Sequence, residues 1–489
     1  MFAVGCGSSS SSGPTPRGNY SNASLNGQYT YTMSGFDLNT GNTYTRAGVF
    51  SANGSGVITS GTDDFTEGSL ASSVTSGTYS ISNDGTGTLV LTFPTGSVQW
   101  AMTIQSGATA SSPKVYLIET SSTPSGGTTP FTGYGAAEGQ NPSAFAGPPS
   151  GKFVFRVHNN FISGTSVTPQ SVVGAVTISG AVATSGNEDV VTLGSNVSSP
   201  VITGGVFNPP DATGRGSGSI TDSSPATTTF QYYVIDANHM NILNTSGSAV
   251  GLGRAEMQTG TFSNATLTGS YAFGTRGDTG LNLNGVHTVG VFTANGGGGL
   301  TAFNFDAMRD NTSTSNASYS SNTYTVASNG RTVVTLNSGA AQQIYWLVNG
   351  SRAFLLSNDS TAAIDGTADL QTTTSFSNGT INGQFAFLND GIQLSGTTFA
   401  NTIDRVATLQ WNGSGGLTLN EFINVSGSTN VPGFLSGSYS VGSNGRATGK
   451  INGSTNSVNL VFYMISGGQG YVLETDANTA VDGITQLQQ

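Results

Sequence analysis

Carboxylates are the residues of this chain best suited by type and spacing to do chemistry. In a fourfold repeat, just past the hairpin that follows the second strand, stand Asp63 and Asp64, then Glu188 and Asp189, then Asp306, then Glu421. Paired acids among hydroxyl and carbonyl oxygens are what a hard cation takes as ligands, so Asp63, Asp64, Glu188 and Asp189 are the candidate Ca²⁺ ligands. Two copies offer a single acid, and no Asp-x-Asp-x-Asp-Gly series occurs. The expectation is therefore solvated turn residues and no metal. Acid–base work on a glycosidic bond needs two carboxyls facing across one cleft. Such a site would be sought in the second copy, the most divergent, whose distinctive groups are Glu188, Asp189 and His158. A further series, Glu138, Glu256 and Asp369, becomes Gln486 in the fourth copy. A role that survives loss of the charge is a strand-end hydrogen bond.

The other reactive types give less. His158, His239 and His287 never recur at an equivalent position, and no two have metal-ligand spacing, so isolated surface or turn histidines are expected. The runs Gly296–Gly299 and Gly214–Gly218 follow strands but open no helix, so they are turns rather than phosphate cradles. No serine sits on a strand-to-helix elbow with a histidine partner. No catalytic residue and no cofactor is assigned, and the expectation is a protein that is not an enzyme. Trp100, Tyr232, Trp346 and Phe462 fall at what reads as one place in the most apolar strand, and their alternation with other large apolar residues marks them as core. Trp411 stands where two copies carry Ala52 and Ala294. With Glu421 and Asp306 it forms the short roll of candidate binding residues.

These groups must be positioned by strands. A strand opens at Leu25-Asn26-Gly27-Gln28-Tyr29, again at Leu267-Thr268-Gly269-Ser270-Tyr271 and Ile381-Asn382-Gly383-Gln384-Phe385, and in worn form at Ser150-Gly151-Lys152-Phe153. Each copy closes on a phrase ending in glutamine, at Gln140, Gln258, Gln371 and Gln488. Within a copy, Tyr29, Tyr31 and Met33 alternate with polar residues, the period of a half-buried strand. Asn53-Gly54 and Asn295-Gly296 sit between apolar runs, the strongest short-range hairpin signal. The count is about eight strands per copy. An all-β chain of four tandem antiparallel modules follows, with an up-and-down β-barrel of calycin type favoured over a β-sandwich because closure removes exposed edges. The modules are expected at 20–142, 143–259 (divergent), 260–373 and 374–489, after a tether at 1–19.

Composition sets the outer limits. Only 8% of the 489 residues are charged, and the formal net charge is −11. With three lysines (Lys114, Lys152, Lys450) no basic stripe exists to neutralise phosphates, which argues against nucleic acid. Phe numbers 25 and Tyr 16, enough to build cores in a glycine-rich chain.

The single cysteine, in Met1-Phe2-Ala3-Val4-Gly5-Cys6-Gly7 before a Ser/Gly/Pro run, resembles the end of a bacterial lipoprotein signal. That resemblance implies lipidation at Cys6 and a flexible tether over 7–19. Ala3 replaces the commoner Leu, and a charged start and apolar run are missing, which implies a start called late or a trimmed sequence. The Leu-Asn-Gly-x-Tyr opening, the Asn-Gly hairpins and the strand Leu117-Ile118-Glu119-Thr120 resemble the tandem-repeat surface lipoproteins of soil acidobacteria. Each repeat is also weakly similar to the barrels of avidins and lipocalins. The resemblance implies a cell-envelope location, lipid-anchored to the outer membrane or extracellular.

Three functions remain open. The first is a non-enzymatic surface array for adhesion, envelope structure or weak multivalent binding, its partner an extracellular glycan or other surface component. Membrane contact would then run only through Cys6, and the chain would be a monomer. The second is a carrier of a small apolar ligand, which requires a barrel cavity of several hundred Å³. The third is a secreted polysaccharide hydrolase.

Overall fold

The computed structural model describes residues 18–105, 114–122, 131–164, 166–224, 226–279, 285–395, 398–453 and 457–488. They form four closed antiparallel barrels of eight strands, in chain order. Barrel 1 runs from Asn26–Asp37 to Phe131–Gly139, barrel 2 from Gly151–Ser163 to Ala249–Met257, barrel 3 from Thr268–Asp278 to Ala363–Leu370, and barrel 4 from Asn382–Ser395 to Thr479–Leu487. In each, the first strand pairs with the second and with the last: Tyr29 faces Phe50 and Gly139, and Phe153 faces Val176 and Met257. Barrels 1 and 3 carry one short extra strand each, Ser72–Val74 and Thr312–Ser318, on the flank of the third barrel strand.

The hairpin after the second strand differs in detail from an Asn-Gly two-residue turn. Asn53 keeps an extended backbone, and Gly54 and Gly56 supply the positive φ of 75° and 96°. The Asn53 side chain accepts from the N–H groups of Ser55 and Val57 at 2.8 and 3.1 Å, which closes a longer loop. Barrel 2 has the tight form instead, with Gly180 and Ala181 both at positive φ.

A 3₁₀ turn closes the lower end of each barrel. Those of barrels 1, 3 and 4 are Asn22–Ser24, Asn264–Thr266 and Asn378–Thr380, each followed by a fully buried Leu25, Leu267 or Ile381. A tyrosine hydroxyl from the barrel wall donates to that residue's carbonyl: Tyr79, Tyr324 and Tyr439. Barrel 2 uses Pro142–Phe145, with Phe145 packed on its core.

The four barrels make a closed ring. The outer face of the first two strands of each barrel packs on the sixth, seventh and eighth strands of the next, and barrel 4 packs on barrel 1 in the same way. Apolar side chains pointing out of the barrels fill these seams. Val173, Trp346 and Phe354 lie between barrels 2 and 3, and Ile118, Leu388 and Val406 between barrels 4 and 1. A head-to-tail interface that repeats generates a ring once its rotation closes, and here it closes after four units of one chain.

Candidate functional site

The recurring acids divide into two columns on opposite faces of the third strand, because neighbouring residues in a strand point to opposite sides. One column points outward into the ring seams. Asp64 binds Arg215 of barrel 2 at 2.7 Å, Asp189 binds Arg331 of barrel 3 at 2.7 Å, and Asp306 binds Arg446 of barrel 4 at 2.7 Å. Each aspartate also accepts a hydrogen bond from the next barrel's sixth strand, from Tyr233, Trp346 and Tyr463. Burial pushes Asp306 up, but Arg446 and its other donors outweigh it and leave the carboxyl below its ordinary range. Barrel 4 has Phe422 at this place, and barrel 1 has Thr86 where the others have the arginine, so the fourth seam lacks the ion pair.

These aspartates are thus not solvated turn residues. Asp64, Asp189 and Asp306 are fully buried, and their partners lie more than a hundred residues away. The aromatic reading needs a parallel correction. Tyr345, not Trp346, points into barrel 3, because a shift of one residue exchanges the faces of a strand. The inward row is Met102, Tyr232, Tyr345 and Phe462.

The closing glutamines are a second lock. The side-chain amide of Gln140 donates to Val234 O at 2.6 Å, Gln258 to Leu347 O at 2.6 Å, Gln371 to Met464 O at 2.7 Å and Gln488 to Ile104 O at 2.5 Å. Each reaches the next barrel, and Gln488 joins the last to the first. The series Glu138, Glu256, Asp369 and Gln486 also crosses the seams, binding Arg254, Arg352, Tyr471 and Tyr116.

The ring axis holds a polar junction of about 160 Å³ lined by all four barrels. Arg276 bridges Asp390 and Asp482 at 2.8 and 2.7 Å, and His287 also binds Asp482. His158 lies 2.8 Å from Asp365 and 3.2 Å from Asp278. Burial lowers its pKa, but the two aspartates outweigh that and raise it to about 10. His158 and His287 are therefore members of an inter-barrel network rather than isolated residues, while His239 pairs with Asp236 near a turn. Among the described residues, no group of three or more His, Cys, Asp or Glu is placed to hold a metal ion.

The inward column is Asp63, Glu188, Phe305 and Glu421, in barrels 1 to 4. In barrel 1, Asp63 accepts from Tyr31 at 2.5 Å and lies 3.1 Å from Arg46 Nε. In barrel 4, Glu421 lies 2.7 Å from Arg405 Nε. Both arginines are buried, so each carboxylate has a cation inside its barrel. Trp411 is also wholly buried, in edge contact with Tyr439 and Phe462 of the barrel 4 core. Of the candidate binding residues, none lies on an open surface.

Barrel 2 departs from this pattern and contains a cavity of about 690 Å³. Its lower half is apolar, with Phe153, Phe155, Phe207, Met240 and Ile242, and apolar lining continues upward through Phe230, which pairs with Asn244, and Phe161. The upper half carries Asn159, Gln170, Glu188, Thr192, Asp222 and Asn244. The cavity exists because small residues replace large ones. Val176 stands where Phe50 and Phe292 face the first strand of barrels 1 and 3. On the fifth strand, Gly218 and Asp222 stand where barrel 1 has Leu89 and Phe93, and Phe230 leans over Gly218. The cores of barrels 1, 3 and 4 instead hold packed aromatic pairs, edge-on in Tyr31–Trp100 and Trp411–Phe462 and stacked in Phe292–Phe303. Burial, then the neighbouring Asp222, pushes the Glu188 carboxyl up to about 8.

The three groups singled out in the second copy do not meet. Glu188 points into the cavity, Asp189 into the seam with barrel 3, and His158 to the ring axis. Cys6 lies outside the described residues.

No protein-family model and no curated protein matches the sequence. Among solved structures the chain is similar to the structure of intact Ap-TbpB (N and C lobes), at 9% identity and a TM-score of 0.19, covering 78% of this chain and 85% of that one. It is also similar to the crystal structure of CghA, at 7% identity and a TM-score of 0.17, over 69% of this chain and 89% of that one. The class defined by fold and site is a closed ring of four β-barrels, one of which, barrel 2, holds a large cavity.

Proposed function

We propose that the protein binds one small, largely apolar molecule inside barrel 2, and that the other three barrels form the frame that holds it. The observation carrying this reading is the 690 Å³ cavity in barrel 2, where Val176 and Asp222 stand at the places of Phe50 and Phe93 and Gly218 at that of Leu89. Barrel 4 has Leu409 and Gly449 at two of these places but fills the space with Trp411. That volume falls within the roughly 300–1,000 Å³ of small-molecule sites, with an apolar body and a few polar groups at one end. In this reading the protein is a carrier or receptor rather than an enzyme. The lipoprotein-like start at Cys6 supplies its anchor in the cell envelope. An array acting by avidity draws less support, since avidity needs like sites turned outward and the ring occupies the first, second, sixth, seventh and eighth strands of every barrel.

The test is titration of the full chain with a fluorescent apolar probe such as N-phenylnaphthylamine. Saturable one-to-one binding, lost when Val176→Phe and Gly218→Leu refill the barrel, supports the reading. Undiminished binding to the refilled variant, with barrel 2 still folded by hydrogen exchange, refutes it.

A further inference from the structure

The four barrels can be compared position by position. On the second strand, Arg46 of barrel 1 and Arg405 of barrel 4 stand two residues before the one that pairs with the inward acid. The same place in barrel 2 is Val172, two residues before Gly174, which pairs with Glu188. Barrel 3 has Thr288 there, and Phe305 in place of the acid. Acid and arginine are thus present together in barrels 1 and 4 and absent together in barrel 3. Barrel 2 alone keeps the acid without the arginine. It also adds a second acid, Asp222, at the place of Phe93, the ring over which the Arg46 guanidinium lies in barrel 1.

An inward carboxyl with no cation is expensive for a fold, because burial disfavours its charged form. Among the described residues no Lys, Arg or His lines the cavity. Arg331 of barrel 3 is held outside the barrel wall by Asp189, the neighbour of Glu188 on the third strand. The site therefore offers two carboxyls and several carboxamides beside apolar side chains, and among the described residues no cation to balance an anion.

We propose that barrel 2 is selective for amphiphiles with a cationic amine head, whose ammonium takes the place held by Arg46 and Arg405 in barrels 1 and 4. This rests on the reading of barrel 2 as a ligand site and adds the ligand's chemical class. The apolar body of such a molecule lies against Phe153, Phe207 and Phe230. Its head meets Glu188 and Asp222, and Asn159 and Asn244 complete the polar collar. Fatty acids, which have the same body and the opposite charge, are disfavoured by the two carboxyls.

The experiment compares decyltrimethylammonium, decanol and decanoate, below their micelle concentrations and at pH 8.5, as competitors of the fluorescent probe on the full chain. The expected order is ammonium, then alcohol, then carboxylate, with at least about tenfold between the first and last, the ratio that one modest charge contact supplies. In the Glu188→Gln/Asp222→Asn variant the ratio should fall to within about twofold. Decanoate binding as tightly as the ammonium, or a preference that survives in the double variant, overturns the proposal while leaving barrel 2 a ligand site. Failure of the fluorescent probe and all three alkyl compounds to bind overturns both readings.

Discussion

Val172→Arg places in barrel 2 the side chain that barrels 1 and 4 already carry beside the same carboxyl. The cavity has room for it, so the overpacking that usually penalises small-to-large changes is absent. In the wild type the Glu188 carboxyl is pushed up to about 8, against an ordinary value of 4.5, by burial and then Asp222. An acid with a raised folded-state pKa holds a proton that the unfolded chain releases. Its contribution therefore lowers stability as pH rises from about 4.5 to about 8. At pH 7 the loss spans about 2.5 pH units at about 1.4 kcal/mol each, or roughly 3.5 kcal/mol, an upper limit because the cavity opens to water. With a guanidinium about 3 Å from the carboxyl, as in barrels 1 and 4, the penalty should shrink but not vanish, since burial still holds Asp63 above its ordinary range beside Arg46. Urea denaturation at pH 5, 7 and 8.5 tests this, together with side-chain carboxyl NMR of Glu188. The variant should gain on the wild type with rising pH, and the Glu188 titration should drop well below 8. Both amine and apolar probes should lose binding, because the arginine occupies the space. Should the folded variant keep Glu188 titrating near 8, or still bind decyltrimethylammonium at wild-type strength, the equivalence of Val172 with Arg46 and Arg405 is wrong.

Other perturbations address the ring. Arg331→Ala leaves Asp189 buried between barrels 2 and 3 without its cation, and should cost about 3–5 kcal/mol, seen as faster hydrogen exchange in Ala341–Asn349 and Ser166–Ser179. Gln488→Ala strips the hydrogen bond to Ile104 O at the seam without an ion pair, and should cost about 1–3 kcal/mol, with exchange rising first in Gly96–Ile104. Trp411→Ala removes a fully buried core ring of barrel 4 and should cost about 3–5 kcal/mol in thermal or urea melts, whereas Phe434→Ala, at an exposed site, should change little. His158, raised to about 10 by Asp278 and Asp365, contributes stability that is fully present below its ordinary 6.5 and lost as pH rises through about 10. His158→Gln should flatten the alkaline side of the stability profile above pH 8.

The fold was legible because its signals are local. Alternation in Tyr29-Thr30-Tyr31-Thr32-Met33 and the glycines after Asn53 and Asn295 specify strand and turn within ten residues. The site was less legible, because its meaning depends on which way a side chain faces. Asp63 and Asp64 are adjacent in sequence, yet one serves its own barrel and the other the next. The arginine in the turns at Asn329-Gly330-Arg331 and Asn444-Gly445-Arg446 was visible, but its aspartate lies about 140 residues earlier. Aligning the copies by face would have paired Arg46 and Arg405 with the inward acids and exposed Val172 as the exception. His158 and His287 defeated sequence reading for a related reason. Equivalent places in the repeat lack them because the ring axis is built once, from four unlike contributions.

Division of labour among the barrels follows from how each solves the same inner-wall problem. Barrel 3 removes the acid and fills with rings, while barrels 1 and 4 keep the acid and cover it with arginine. Barrel 2 leaves both the volume and the charge open, the least stable choice for an isolated eight-stranded barrel. The ring compensates on its outer face. Barrel 2 is clamped by Asp64–Arg215 on one side and Asp189–Arg331 on the other, each reinforced by an aromatic donor and a glutamine lock. The seam without an ion pair lies between barrels 4 and 1, so neither of its members is hollow. If that frame is what permits the cavity, loosening a seam of barrel 2 should do more than loosening the seam opposite. Arg331→Ala should weaken probe binding in barrel 2, whereas Gln488→Ala should destabilise the ring without changing probe affinity. Equal effects of the two on binding would mean that barrel 2 holds its shape alone.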